Sequence, residues 1–141
     1  LLESRQDGFA AMQKETGGLT TTTEFLKDAR PVLVAIADLD LIVSGISSDL
    51  ETDFVSLLEN GARFGIYFII AGNTSTMGRG YSKVSDIIKL QKNGIALCKL
   101  SEQNIIDVSN KNYQEPNLLP FEAYNIQNGV AEKIKVVKPA K

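Results

Sequence analysis

The apolar residues of this chain change rhythm several times, and each change predicts an element. Leu1, Leu2, Arg5, Phe9 and Met12 follow helical spacing, and Gly17-Gly18 closes that segment. One of the threonines in Thr20–Thr23 is placed to cap a short helix through Glu24-Phe25-Leu26-Lys27, which Pro31 ends. Val32–Ala37 is apolar on consecutive rather than alternate positions, the pattern of a strand buried on both faces. Ser47-Ser48 with Asp49 and Glu51 opens a helix whose apolar face is Leu50, Phe54, Leu57 and Leu58, with Gly61 near its end. Gly65–Ala71 reads as a second buried strand. A helix over Ser82–Lys92 carries Val84, Ile87, Ile88 and Gln91, and a third strand runs over Ile95–Leu100.

The order strand, helix, strand, helix, strand predicts an α/β fold built on a parallel sheet with flanking helices. The C-terminal stretch follows another pattern. Glu122–Gln127 and Val130–Val137 flank Asn128-Gly129, a strong signal for a tight hairpin. The lysine-rich end, Lys133 to Lys141, reads as a frayed, solvated tail.

Composition narrows the classes. A chain of 141 residues, 43% hydrophobic and 23% charged, is long enough for one ordinary globular domain. Its longest apolar runs are too short to cross a bilayer, and no leader is visible. The opening Leu1-Leu2, without an initiator Met, leads us to expect an excerpt of a longer polypeptide. The net charge of −2 offers no basic field for nucleic acid. The charge is nevertheless uneven: residues 1–60 hold 11 acidic and 4 basic side chains, a net −7, and residues 61–141 hold 6 and 11, a net +5. The lone Cys98 allows no internal disulfide and reads as a small core residue of a reduced compartment. With no His, imidazole-based triads and His-ligated zinc are excluded.

Candidate chemistry lies at the carboxyl ends of the strands, where parallel α/β sheets gather ligands. The first strand runs into Asp38-Leu39-Asp40, shaped like the magnesium-supporting acid of a nucleotide hydrolase. Asp38 serves equally well, on sequence, as a plain helix cap. Its neighbour Leu39 can move no proton, and Asp40 is a poor substitute. Asn73 after the second strand could sense a γ-phosphate or simply shape a loop. Arg63, ahead of that strand, could reach a neighbouring subunit or domain. No Gly-x-x-x-x-Gly-Lys-Ser/Thr occurs, and Gly17-Gly18-Leu19-Thr20 lacks the Lys of a phosphate-binding loop.

The succession Pro31–Leu41, Glu59–Asn73 and Gly94–Leu100 resembles the second half of an FtsK/SpoIIIE-type P-loop ATPase domain, a partial RecA-like fold. Leu119–Gly129 resembles that family's closing hairpin. The likeness spans residues 24–137, and the phosphate-binding loop is expected upstream or lost. Leu39 stands where the family has its Walker B Glu, Gly72-Asn73 where it has Thr-Gln, and Pro120-Phe121-Glu122-Ala123 where it has Pro-Gly-x-Gly. Arg63 is displaced by one position from the family's Gly-Arg.

Such erosion resembles the C-terminal, degenerate ATPase modules of the EssC family of type VII secretion. This implies a soluble domain at the cytoplasmic face of a membrane-anchored parent. The implied partners are the other ATPase domains of the same protein and secreted substrate proteins, with no nucleic acid and no membrane insertion of this segment. The implied ligands are ATP and Mg, held in residual form by Asp38 and Asn73, with Arg63 at a domain boundary and no catalytic residue. Two alternatives stay open. One is a slow but active ATPase domain; the other is a receiver-like signalling domain using Asp38, Asp40, Thr74 or Ser75, and Lys99.

Overall fold

The element order of the computed structural model, which describes residues 1–77 and 82–137, follows the hydrophobic rhythm closely in the first half. Helix α1 spans Leu2–Glu15 and α2 spans Thr22–Asp28. Strand β1 (Val32–Ile36) leads into α3 (Leu39–Gly45) and α4 (Ser48–Asn60). A 3-10 turn over Gly61–Phe64 then delivers β2 (Ile66–Ile70). Short helices α5 (Thr74–Met77) and α6 (Lys83–Lys89) precede β3 (Gly94–Ala96), and β4 (Glu122–Gln127) and β5 (Val130–Lys135) follow. The chain divides into two compact units, Leu1–Ala71 and Gly72–Lys141.

In the first unit β1 and β2 pair in parallel, in register from Val32↔Ile66 to Ile36↔Ile70. The cap of α2 is Thr21. Its hydroxyl accepts the Glu24 N–H while the Glu24 carboxylate accepts the Thr21 N–H at 2.9 Å, a reciprocal capping box. Phe9 of α1 stacks edge-on against Phe25 at 5.7 Å and Phe64 at 6.0 Å, tying three elements together. The Arg5 guanidinium donates to the Phe64 carbonyl at 2.7 Å and to the Arg30 carbonyl, so this polar member of the helical stripe closes two chain reversals at once. Gly65 sits at φ 72°, with Leu26 Cδ2 only 2.9 Å from where a Cβ would stand. A side chain there would be strained by the left-handed backbone and would push Leu26 and Arg5 aside.

The expectation of burial on both faces needs correction. Ile36 and Ile66 are buried, but Leu33 is 62% exposed and Ile69 60%. One face of this two-stranded sheet is open, because consecutive apolar residues alternate sides and only one side meets the helices of the unit. Leu50, expected on the apolar face of α4, is exposed as well.

The second unit carries the larger correction. The third strand is shorter than expected and belongs to another sheet: Gly94–Ala96 pairs antiparallel with β4, Gly94↔Ile126 to Ala96↔Tyr124. The sheet order is β3-β4-β5. Its core is Ala96, Leu100, Val108, Tyr124, Ile126 and Ala131, with Cys98 and Ile106 packed against it. Cys98, expected in the core of a strand, is half-buried against this core and lies beyond the strand. The Asn128-Gly129 hairpin forms as expected, with φ 52° and 76° at its two turn residues. Lys133 and Lys135 are strand residues rather than tail, and 138–141 lie outside the described residues.

Candidate functional site

Asp38 lies two residues beyond the end of β1 in extended geometry, φ −147° and ψ 102°. Its Oδ1 accepts the N–H groups of Asp40 at 3.0 Å and Leu41 at 3.4 Å, capping α3. The adjoining backbone is anchored to β2: Ala71 N–H donates to the Ile36 carbonyl at 2.8 Å, and Leu39 N–H donates to the Ala71 carbonyl at 3.0 Å. The carboxyl ends of the two parallel strands are thus latched together at the position where ligands gather in such sheets. Asp38 is exposed there, whereas Leu39, which the resemblance sets opposite the family's Walker B Glu, is 1% exposed and part of the core.

Asn73 belongs to the second unit. Its side-chain oxygen accepts the Ser75 N–H at 2.9 Å and the Ser75 hydroxyl at 2.8 Å, and its carbonyl accepts the Met77 N–H at 3.0 Å. It therefore starts α5 as an Asx turn. Arg63 is exposed on the 3-10 turn of the first unit. Asp38 and Arg63 share the first unit, and Asn73 lies in the second.

The Gly17-Gly18 turn does not supply the phosphate nest of the family's ATP–magnesium site. Gly17 and Gly18 donate their N–H groups to Lys14 and Gln13 carbonyls at 3.4 and 2.7 Å, closing the C-terminal end of α1. A phosphate nest needs free N–H groups at a helix N-terminus, the opposite polarity. One oxygen of Asp38 is engaged as a cap. The receiver-like alternative loses its third parallel strand, since the strand before Lys99 runs antiparallel to β4.

Sequence reasoning passed over the polar groups that hold the irregular stretch between β3 and β4. Glu115 is buried and accepts the Ser101 N–H at 2.9 Å, the Ser101 hydroxyl at 3.3 Å and the Tyr124 hydroxyl at 2.7 Å. Burial raises its pKa, but these donors outweigh burial and hold the carboxyl below its ordinary value. Tyr124, facing that carboxylate and partly desolvated, is pushed up to about 12. Buried Gln103 accepts the Ile105 and Ile106 N–H groups, both at 3.0 Å, and returns a bond to the Ile106 carbonyl at 2.9 Å. No sequence signal marks these residues, because a Glu or Gln in a polar stretch reads as solvated until its partners converge. A cleft of about 400 Å³ opens on the hairpin between Asn93, Ile95, Asn125 and Gln127, and none of Asp38, Asn73 or Arg63 lines it.

The fold is that of the ATPase domains of EssC. The structure of EssC ATPases 2 and 3 from Geobacillus thermodenitrificans matches 97% of this chain with a TM-score of 0.70 at 18% identity. The cytoplasmic domain of EssC matches the same share with a TM-score of 0.69 at 17% identity. This chain spans 26% and 28% of those two chains. In sequence, it is similar to the ESX secretion system protein YukB of Bacillus subtilis (strain 168), with 30% identity over 91 residues. That match covers 64% of this chain and 6% of the relative's length. No family model matches. The resemblance to EssC read from the motifs is borne out. Among the described residues no helix is long and apolar enough to cross a membrane.

Proposed function

We propose that this chain is a degenerate, FtsK/SpoIIIE-like ATPase module of a type VII secretion motor, which works by binding partners rather than by hydrolysing ATP itself. The observation that carries the reading is at the end of β1, where Asp38 serves as a helix cap and Leu39 is core. Removing a general base costs about two to four orders of magnitude in rate. The similarity to YukB and EssC supports the setting in protein export. The partners in this reading are other ATPase domains of the parent and exported proteins, met at the cytoplasmic face of the membrane. In this reading Arg63, exposed on its turn, meets a neighbouring domain.

A module of this kind acts mechanically. A partner that binds one arrangement of the parent's domains better than another shifts their equilibrium by the difference in affinity. Mg-ATP titrated calorimetrically into the protein and into Asp38→Ala tests the reading. The expected outcome is no Asp38-dependent heat at micromolar nucleotide. Micromolar binding that vanishes in Asp38→Ala would favour the slow ATPase instead, since the Asp38 carboxylate stands at the latched strand ends where that enzyme would need it.

A further inference from the structure

The outer edge of β5 is closed along one half and open along the other. Asn128 and Gly129 are both left-handed, which makes their turn the two-residue type in which the flanking pair, Gln127↔Val130, is hydrogen-bonded. Every second pair follows, so Val130, Glu132 and Ile134 bond to β4, while the N–H and C=O groups of Ala131, Lys133 and Lys135 point away from it. Among the described residues no strand flanks β5 on that side.

Near the turn this edge is plugged. The Asn110 side chain takes both outward groups of Ala131, accepting its N–H at 2.9 Å and donating to its carbonyl at 2.8 Å. Ser109 donates to the Gly129 carbonyl from its N–H at 2.9 Å and its hydroxyl at 3.1 Å. At Lys133 and Lys135 no such plug stands among the described residues. A lysine reaching outward guards an edge against pairing, but the Lys133 ammonium is drawn back over the sheet to Glu122 of β4, at 3.1 Å.

We propose that the Lys133–Lys135 edge is a strand-addition site for an extended partner segment that alternates acidic and β-branched residues. Main-chain pairing to the outward groups of Lys133 and Lys135 would supply the attachment. The side chains of an added strand alternate between the two faces of the sheet. On one face they meet Lys133 and Lys135; on the other they meet Ile134 and the exposed Val136. Acids on the first face and apolar branched residues on the second are the complementary cross-strand partners. Exposed Phe121 lies across from Val136 past the end of β5, where Val136 N–H is held by the Phe121 carbonyl at 2.7 Å. This inference stands on the geometry of β5 and is independent of the reading of Asp38.

The probe is a short fluorescent peptide alternating Glu and Val, titrated into the whole chain by anisotropy, with hydrogen exchange read at the Lys133 and Lys135 amides. Binding is expected to slow both amides and to weaken about tenfold or more in Lys135→Pro. That substitution deletes an outward N–H without breaking a bond to β4. Lys135→Glu, which leaves the backbone intact, is expected to weaken binding of the Glu-Val peptide and to improve that of a Lys-Val peptide. Any of four results would overturn the proposal. These are no binding by the folded chain, equal binding of the Lys-Val peptide by the unaltered protein, indifference to both substitutions, or amide protection that rises with protein concentration without peptide. The last would assign the edge to a second copy of this chain.

Discussion

Restoring the acid that the family carries beside Asp38, by Leu39→Glu, is expected to unfold the first unit rather than to revive hydrolysis. Leu39 is fully buried at the first position of α3. Removing a leucine side chain from such a site costs about 2–5 kcal/mol. A carboxyl group in the same space must stay protonated, and a pKa raised by about three units costs roughly 4 kcal/mol at neutral pH. The first turn of a helix favours an acid by at most about 1 kcal/mol, which does not offset this. The net loss is roughly 5–8 kcal/mol, comparable with the whole stability of a marginal domain. Urea denaturation followed by circular dichroism should show the midpoint falling by about 2 M or more, at a slope near 2 kcal/mol per M. Burial would raise the folded pKa of the introduced carboxyl. The part of the loss that comes from its ionisation should therefore disappear below about pH 4, where the unfolded carboxyl is protonated too. Leu39→Met, close in volume, should lose less than about 1.5 kcal/mol. A Leu39→Glu protein as stable as the original at neutral pH would refute the reasoning. So would one that gained Asp38-dependent ATP hydrolysis.

Three further outcomes are expected. The Glu115 carboxyl is held below its ordinary pKa, so its stabilising bonds persist above about pH 4.5 and are lost as pH falls through the folded value. Tyr124, raised to about 12, has the opposite sign: its contribution is whole below pH 10 and disappears as pH rises toward 12. Tyr124→Phe should abolish that alkaline loss and cost about 1.5–3 kcal/mol at neutral pH, measured by thermal melts across the pH range. Gly65→Ala, forced into φ 72° against Leu26 at 2.9 Å, should destabilise by more than about 1 kcal/mol, read as a lower urea midpoint.

The elements legible in the sequence are those whose cause lies within a few residues. Thr21 and Glu24 cap each other three positions apart, and Asn128-Gly129 accepts the left-handed backbone of a tight turn wherever it occurs. The apolar runs over β1 and β2 announced strands for the same local reason. Asp38 was legible both as a cap and as a Walker B acid, and local hydrogen bonding realised the cap.

Tertiary structure decided what depends on distant partners. The run beginning at Ile95 reads alike whether its neighbour is parallel or antiparallel, and only the arrival of β4 made it a hairpin-sheet edge. Glu115 looked like a solvated charge until the Ser101 and Tyr124 donors closed around it. Lys133 and Lys135 looked like a tail until pairing with β4 turned their backbone groups toward an open edge. The sequence alone thus determined the local elements and the family likeness, because propensity and motif spacing are written along the chain. Strand partners, satisfied buried groups and exposed edges were decided by the fold, because they are properties of pairs of residues that meet only in space.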